Sequence, residues 1–157
     1  MTFTVTSEGF PDGGALPDAQ VHANGNRSPQ LSWSGAPEGT KSFAVTCFDP
    51  DAPTGSGFWH WTVANIPADV TGLAEGASPA GLPQGAVEGR TDFGAPGFGG
   101  AAPPKGHGPH RYIFTVFAVD TERLDVTPQN SGAVFGFNLH FHTLAKASIT
   151  GVYENRG

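Results

Sequence analysis

The chain has 157 residues, of which 38% are hydrophobic and 14% charged, and its formal net charge is −6. This length is typical of one domain, and 12 Phe with 3 Trp can build a single hydrophobic core. The Lys and Arg residues, 8 in all, are scattered along the chain and form no basic stripe. This excludes a nucleic-acid backbone as an expected partner and argues against an anionic membrane surface.

Signals for cross-linking, export and membrane insertion are weak. Cys47 is the single cysteine and lies in an apolar run, so a buried structural thiol is expected. The N-terminal segment lacks the charged and apolar regions of a secretory signal. No apolar stretch approaches the ~18–20 residues of a transmembrane helix. The sequence therefore predicts a cytoplasmic protein.

The first third of the chain reads as short strands separated by loops rich in Gly and Pro. The alternating residues 3–6 (FTVT) predict an opening strand. Residues 9–27 predict a surface loop with a short strand near residues 20–22, and residues 28–33 predict a further strand. Residues 41–48 are apolar almost throughout, which is typical of an interior strand covered on both faces.

Residues 58–66 (FWHWTVANI) predict the next strand. Strict alternation along it would place Trp59 and Trp61 on one face and His60 on the opposite face. The following residues 72–104 are rich in Gly, Pro and Ala. A segment of that length with few strand signals predicts either a functional loop or several short strands.

Residues 111–120 (RYIFTVFAVD) are the clearest strand pattern in the chain. Because the pattern begins directly after His110, this residue and Tyr112 share a face, whereas Arg111 points away. Residues 147–153 predict the final strand.

The pattern of residues 134–144 fits two kinds of element. Ser131 could cap a helix there, with an apolar stripe of Val134, Phe137, Phe141 and Leu144. The same segment also alternates with the period of a strand. Gly132 and Gly136 weaken the helix by about 1 kcal/mol each relative to Ala. The residues alone do not decide between the two.

Two loops rich in Pro and Gly carry the polar side chains that suggest a site. The first lies within residues 48–61 (FDPDAPTGSGFWHW) and the second within residues 103–112 (PPKGHGPHRY). Each loop delivers polar groups to the start of an apolar strand, so we expect them to converge in one pocket. The candidate side chains are Asp49, Asp51, His60, His107, His110 and Tyr112.

Three kinds of site would use these groups. In an anion pocket, imidazoles, the tyrosine hydroxyl and glycine-loop amides donate hydrogen bonds, while an aspartate holds the imidazole tautomers or a cationic headgroup. A metal site of two His and one carboxylate is the second reading, but no HExxH or CxxC spacing supports it. Hydrolysis with Asp and His as an acid–base pair is the third, without a nucleophile motif. Alternatively, Asp49 and Asp51 only stabilise a turn before proline.

The motifs DPDAPTGSGFWHW (residues 49–61) and GHGPHRY (residues 106–112) closely resemble the phosphatidylethanolamine-binding protein family, in its bacterial, Raf-kinase-inhibitor-like branch. Further matches are NRSPQLSWSGAP (residues 26–37), DFG (residues 92–94) and HTLAKASITGVY (residues 142–153). The resemblance implies a single domain over residues 1–157 with a mainly all-β fold. It would be an antiparallel β-sandwich with a short C-terminal helix, which favours the helix over residues 134–144.

The resemblance also implies an anion cavity at the edge of the sandwich that takes phosphate-type groups, including the phosphoethanolamine head of a lipid. The ligand-binding residues it implies are Asp49, His60, His110, Tyr112, Gly100 and Pro103. Supporting roles fall to Asp51, Pro53, Trp59 and His107. Family members tend to carry a cis peptide bond in the first motif, which makes Ala52–Pro53 the candidate.

One departure from the family pattern lies just before the second motif. Bacterial relatives usually read GYGGP there, whereas this chain reads GFGGA (residues 97–101). The loss of a phenol and a proline is expected to loosen or reshape the rim of the pocket, which leaves the size of the ligand open.

The expected function is a non-enzymatic binding module for a small anion such as phosphate or the phosphoethanolamine headgroup, with no metal and no cofactor. The alternative is a regulator that acts through protein contacts, such as a kinase or protease inhibitor. A hydrolase using Asp49 with His60 and His110 is the third candidate. Because bacterial relatives often pair, a homodimer is compatible with the resemblance.

Overall fold

Nine β-strands, one 3-10 helix and one α-helix make up the computed structural model, which describes residues 2–157. The strands are β1 (Thr4–Thr6), β2 (Gly14–Ala15), β3 (Leu31–Ser34), β4 (Ser42–Asp49), β5 (Phe58–Pro67), β6 (Gly72–Leu73), β7 (Val87–Glu88), β8 (His110–Val119) and β9 (Thr143–Tyr153). The 3-10 helix is Asp18–Gln20 and the α-helix, α1, is Gly132–His142. Within residues 2–157, no helix combines the length and the apolar character that crossing a bilayer requires.

The strands form two sheets. β3 lies between β1 and β6 in a small antiparallel sheet, and the larger sheet has the order β2-β9-β8-β4-β5-β7. The predicted mainly-β fold with one C-terminal helix is therefore confirmed. The expectation of purely antiparallel pairing has one exception, because β2 runs parallel to β9.

The larger sheet packs against other elements on both faces. One face packs against the small sheet around a core that includes Leu31, Trp33, Val45, Trp61, Phe114 and Val116. The opposite face packs against α1 through Ala44, Ala64, Phe135 and Leu139. Full burial of one large apolar side chain contributes about 1.5–3 kcal/mol, so the two clusters dominate the stabilisation of the fold. β4 lies between β5 and β8, as expected for an interior strand.

β5 contains a β-bulge at His60, which corrects the predicted orientation of its aromatic residues. The pairing with β4 shifts by one residue here, so His60 has no partner across the ladder. Trp59 consequently packs against α1, where a Cβ on Gly132 would lie 2.3 Å from its ring, while Trp61 lies in the core between the sheets. The prediction that His60 faces away from both tryptophans is wrong, because it assumed strict alternation.

The ambiguous C-terminal segment is helical. Ser131 caps α1, and its Oγ accepts the Val134 N–H at 3.4 Å. The buried face of the helix is formed by Phe135 and Leu139. The apolar stripe that the sequence predicted is instead exposed to solvent: Val134, Phe137, Phe141 and Leu144.

Two local expectations differ from the structure. Residues 20–22 form no strand, and only a single bridge joins Val21 to Ala101. The cis peptide bond lies at Ser78–Pro79 and not at Ala52–Pro53. The chain turns at Pro53, where the Thr54 N–H donates to the Ala52 carbonyl at 2.8 Å.

The long segment of residues 72–104 carries short strands, one of the two outcomes expected for it. β6 joins the small sheet and β7 joins the edge of the large one. Glu88 anchors the segment, since its carboxylate accepts hydrogen bonds from the Trp61 indole N–H at 2.8 Å and from the Ser78 hydroxyl. Further along the segment, the Asp92 N–H donates to the Trp59 carbonyl and the Gly99 N–H to the His60 carbonyl, which brings Phe93 and Gly99 to the start of β5.

Candidate functional site

A cavity of about 240 Å³ lies where three neighbouring strands meet. β4 runs antiparallel to both β5 and β8, so its C-terminal end adjoins their N-terminal ends. Asp49 ends β4, His60 lies near the start of β5, and His110 begins β8. The three polar side chains share the cavity with loop residues: Ala52, Pro53, Thr54, Phe58, Phe93, Ala102, Pro103 and Pro104.

Asp49 is buried, with only 2% of its surface exposed, and both carboxylate oxygens are engaged. Oδ1 accepts the Asp51 N–H at 2.7 Å, and Oδ2 lies 2.7 Å from His110 Nδ1. Because a carboxylate accepts hydrogen bonds, His110 carries a proton on Nδ1. Asp49 thus fixes both the orientation and the tautomer of His110.

His110 is equally buried, and its second nitrogen is also occupied. Nε2 lies 2.6 Å from Nδ1 of His107, a residue exposed to solvent on the preceding loop. A contact between two ring nitrogens requires one shared proton. Asp49, His110 and His107 therefore form a hydrogen-bonded chain from the core to the surface.

His60 is held by a backbone carbonyl. Its Nδ1 lies 2.8 Å from the Gly99 oxygen, which can only accept, so Nδ1 carries the proton and Nε2 is left for the cavity. Burial lowers the pKa of His60 below its usual value, although the bond to Gly99 and the charge of Asp49 act in the opposite direction. The ring is therefore neutral near pH 7 and Nε2 is an acceptor.

Tyr112 lies beside the cavity but does not line it. Its ring packs edge-on against His60, with 5.2 Å between centroids, and its hydroxyl is buried near the Asp49 carboxylate and the Ala102 backbone. Burial raises the pKa of Tyr112 well above its usual value, and the charge of Asp49 adds to the shift. The hydroxyl therefore keeps its proton and remains a donor.

The rim is held from behind by backbone contacts. Pro103 lines the cavity, whereas Gly100 sits behind it and donates its N–H to Asn26 Oδ1 at 2.7 Å. A Cβ at Gly100 would lie 2.4 Å from the Gln20 carbonyl oxygen, so only glycine fits there. At the departure from the family pattern, the Ala101 N–H donates to the Gln20 carbonyl, a bond that a proline could not make. This hydrogen bond ties residue 101 to the 3-10 helix.

The predicted supporting residues have different positions. Asp51 makes a two-pronged ion pair with Arg111 at 2.9 Å, and also accepts the Arg111 backbone N–H. The hydrogen bonds and charge of Arg111 lower the pKa of Asp51 to about 2. Pro53 lines the cavity, and His107 contacts His110. Trp59 faces α1, on the other side of the sheet.

Two aromatic residues of the cavity wall received no role from the sequence. Phe93 is 42% exposed, and its ring centroid lies 4.8 Å from that of Phe58 and 5.4 Å from that of His60. On its outer side it stacks on His22 at 4.7 Å. The only sequence feature that could have pointed to Phe93 was the DFG motif. In the structure, Asp92 of this motif accepts a hydrogen bond from the Trp59 N–H and so positions Phe93 over the cavity.

The remaining reactive groups are few. Burial raises the pKa of the Cys47 thiol well above its usual value, and the Asp49 charge adds to it, so this thiol is inert. No set of three His, Cys, Asp or Glu side chains within residues 2–157 is arranged to hold a metal ion. What the geometry offers is an Asp–His–His chain, running from the core to the surface, beside a small, largely apolar cavity.

Comparisons with known proteins agree with this architecture. The family model of phosphatidylethanolamine-binding protein matches residues 6–154. The UPF0098 protein YbhB of Escherichia coli (strain K12) is 53% identical over 155 residues, which cover 94% of this chain and 98% of the relative. A UPF0098 protein of Methanothermobacter thermautotrophicus is 43% identical over 92% of this chain and 94% of its own.

A solved structure is similar over the whole fold. The crystal structure of E. coli YbcL, described as a new member of the mammalian PEBP family, superposes with a TM-score of 0.96 at 54% identity. The match covers 98% of this chain and 99% of YbcL. As the two sequence motifs predicted, the chain belongs to the phosphatidylethanolamine-binding protein family.

Proposed function

We propose that the protein is a non-enzymatic binding module whose cavity takes a small phosphate-type anion. The observation that carries this proposal is the buried Asp49–His110 pair at the base of the cavity, with His60 beside it. Histidines can take up a proton near neutral pH and so supply positive charge to a bound anion. Family membership supports the same reading.

The size of the cavity indicates what part of a ligand it would hold. Its volume of about 240 Å³ lies below the ~300–1,000 Å³ of pockets that enclose a whole drug-sized molecule. A phosphate group with a short substituent fits this volume, whereas an acyl chain would have to stay outside.

The same geometry argues against hydrolysis. Asp49 orients His110 in the way that the aspartate of a Ser-His-Asp triad orients the histidine. The other ring nitrogen of His110, Nε2, contacts His107, whereas in a triad it would contact the nucleophilic hydroxyl. The Cys47 thiol is only 1% exposed and cannot replace that hydroxyl. A hydrolase would have to turn over phosphate or carboxylic esters and lose that activity in Asp49→Asn.

The proposal is tested by titrating inorganic phosphate and phosphoethanolamine into the labelled protein. The NMR signals of His60, His110 and Tyr112 should shift, more strongly at pH 6 than at pH 8, because imidazoles as a class gain positive charge as the pH falls. The exposed His142–Asp120 pair, at the opposite end of β8, is the internal control and should not shift. Absence of any shift at millimolar ligand would contradict the proposal.

A protein-binding regulator is the second candidate, and one observation favours it. Phe137 and Phe141 are 68% and 64% exposed on α1, and exposed apolar patches of this kind mark interaction surfaces. Such a partner would still bind to His60→Ala and His110→Ala variants, since α1 lies on the other side of the sheet. Loss of partner binding in these variants would assign the interaction to the cavity instead.

A further inference from the structure

A groove of about 320 Å³ lies beside the cavity and shares part of its wall. Ala102 and Pro103 line both the groove and the cavity, so the two spaces have a common rim. The polar side chains that line the groove are those of His22, Asn24, Tyr153 and Asn155. None of these four residues lines the cavity, and the binding of an anion there gives them no role.

The walls of the groove are held by hydrogen bonds to the rim. On one side, the Ala101 N–H donates to the Gln20 carbonyl at 3.0 Å, and the His22 N–H donates to the Ala101 carbonyl at 2.9 Å. On the other side, Asn155 Nδ2 donates to the Pro103 carbonyl at 3.3 Å. The first bond needs an N–H at residue 101, where this chain has alanine and the family pattern usually has proline. The groove therefore depends on a residue at which this chain departs from that pattern.

Three polar side chains of the groove are free to contact a ligand. His22 and Asn24 are exposed, and Tyr153 is half-buried. Within residues 2–157, none of the three side chains has a hydrogen-bond partner, whereas Asn155 is bound to the rim. An amide and a phenol each donate and accept hydrogen bonds, and an imidazole donates at least one. The three side chains can therefore bind hydroxyl groups, which also donate and accept.

The groove has no formal charge of its own to offer. Among residues 2–157, no Asp, Glu, Lys or Arg side chain lines it. A charged group placed there would lose water without gaining a counter-charge. A neutral group with several hydroxyls would instead replace its hydrogen bonds to water by bonds to His22, Asn24 and Tyr153.

The groove and the cavity form one continuous space. His22 stacks on Phe93 with 4.7 Å between ring centroids, and Phe93 is part of the cavity wall. The shared rim at Ala102 is exposed and carries only a methyl group, so a ligand can lie across it. With the groove added, the space enters the ~300–1,000 Å³ range of small-molecule pockets, which the cavity alone does not reach.

We propose that the groove is a second subsite, which holds the substituent of a phosphate ester whose phosphate lies in the cavity. This inference rests on the proposed function. The substituent that fits is neutral and rich in hydroxyls, such as an inositol or sugar ring, because aromatic walls with a few polar groups suit a compact polar ring. The same chemistry occurs in soluble inositol or sugar phosphates and in the inositol headgroup of a phospholipid.

The test is an NMR titration of the full chain with inorganic phosphate, myo-inositol 1-phosphate and cyclohexyl phosphate. The two esters are matched, since cyclohexyl phosphate has the same six-membered ring and phosphate but no hydroxyls. We expect inositol 1-phosphate to bind at least about fivefold more tightly than cyclohexyl phosphate and to shift the side-chain amide of Asn24.

The outcomes separate the subsite from the proposed function. Equal affinities of the two esters, or an unshifted Asn24 amide, would overturn the subsite. Shifts of His60 and His110 with inorganic phosphate would then leave the proposed function intact. Failure of all three probes to shift these two histidines would overturn both.

Dihexanoyl phosphatidylinositol distinguishes the two sources of this chemistry. It carries the same ring on a phosphodiester, with acyl chains short enough to stay in solution. Binding tighter than that of inositol 1-phosphate would identify the lipid headgroup as the source, and weaker binding would identify the soluble ester. Either result, with a shift of the Asn24 amide, supports the subsite.

Asn24→Ala and Tyr153→Phe test the cause. In both variants the affinity for inositol 1-phosphate should fall towards that for cyclohexyl phosphate, because the lost hydrogen bonds serve only the hydroxyls. Asn138→Ala removes the same amide group from α1, on the other side of the larger sheet, and is the matched control with an unchanged ratio. An unaltered ratio in both folded groove variants would overturn the role of these side chains. If thermal unfolding shows that a variant does not fold, the ratio of the two esters on the natural protein still decides.

Discussion

At the scale of single residues, His60 shows how position controls protonation. Its ring lies on a bulge, which points it to the cavity and places Nδ1 against the Gly99 carbonyl. The bond fixes one nitrogen as a donor, and burial keeps the other unprotonated. His60 is therefore a neutral hydrogen-bond acceptor towards the cavity. The anion pocket expected from the sequence would instead use it as a hydrogen-bond donor.

We predict that His60 remains neutral, in the tautomer with the proton on Nδ1, as the pH falls below 6.5. Burial lowers the pKa of folded His60 below the unfolded value of 6.5, so the unfolded chain binds the extra proton and stability falls as the pH drops through 6.5. Nitrogen-15 shifts of the ring measure the tautomer and the charge.

The matched variant is His60→Asn, whose side-chain N–H can reach the same carbonyl but does not titrate. Its stability should lose the part of the pH dependence below the unfolded value of 6.5 that His60 causes. An imidazolium signal from His60 at pH 6.5, or a proton on Nε2, would contradict the prediction.

The second prediction at this scale concerns Asp51. Arg111 lowers the pKa of the folded Asp51 carboxyl to about 2, so the ion pair stabilises the protein above the unfolded value of 3.8 and is lost as the pH falls through 2. Asp51→Asn, which keeps an oxygen for the Arg111 N–H, should lower Tm by no more than about 4 °C near pH 7, since the pair is partly exposed.

The difference in Tm between the natural protein and Asp51→Asn should shrink between about pH 4 and 2, as measured by thermal unfolding. Glu154→Gln removes the partner of the exposed Arg156 and serves as the control, with no change in Tm. A difference that persists at pH 2 would show that the ion pair is not its source.

The sequence was sufficient to bring Asp49, His60 and His110 to one end of the sheet. Each of them borders a long apolar run, and antiparallel neighbours place such ends together. It was not sufficient for Trp59 and Gly100, which were assigned to the site but do not line the cavity. A one-residue β-bulge turns Trp59 away from the cavity, and the path of its loop places Gly100 behind the rim. Neither a bulge nor a loop path produces a periodic pattern in the sequence.

At the scale of elements, the stability of α1 depends on how closely the helix packs against the larger sheet. Gly132 lies against the Trp59 ring. A Cβ on Gly136, four residues later, would have no neighbour within 4 Å among residues 2–157 outside the helix backbone. The two glycines are in the same helix but in different environments. Their substitution by alanine should therefore have opposite effects.

We predict that Gly132→Ala destabilises the protein by about 1–3 kcal/mol, because its Cβ would lie 2.3 Å from Trp59 Cγ and force the helix away from the sheet. Gly136→Ala should stabilise the protein by up to about 1 kcal/mol, since alanine favours the helix and its methyl group has open space. Chemical denaturation measures both. Equal effects of the two substitutions would contradict the close packing of α1 on Trp59.

The longer strands were easier to predict from the sequence than the shorter ones. β4, β5 and β8 were evident because eight to ten residues show a clear pattern. β2, β6 and β7 have two residues each, too few to show any period. α1 was undecided because its apolar residues lie on two sides, with Phe135 and Leu139 buried and the rest exposed. Tertiary packing, and not periodicity, decides its structure.

At the scale of the whole molecule, the exposed face of α1 predicts self-association. Val134, Phe137 and Phe141 are exposed on this helix, and the rings of Phe137 and Phe141 are 5.2 Å apart. Burial of this face between two copies would remove the largest exposed aromatic groups from water. We therefore expect a homodimer that forms through α1.

Sedimentation over micromolar to millimolar concentrations measures this association. Phe141→Lys should shift the equilibrium to the monomer, because a charge would be buried at the centre of the interface. Gln129→Lys adds the same charge at an exposed position outside the helix and should leave the equilibrium unchanged. A natural protein that stays monomeric at millimolar concentration would refute the prediction.

The location of Asp49 at the end of β4 limits how binding preference can diverge among related chains. β4 is hydrogen-bonded along both edges, so changes at its last residue disturb the most interior strand of the molecule. The wall residues Phe93 and Ala102 belong to loops and reach solvent. We therefore expect new ligand specificities to arise through amino-acid substitutions in these loops, while Asp49 stays unchanged.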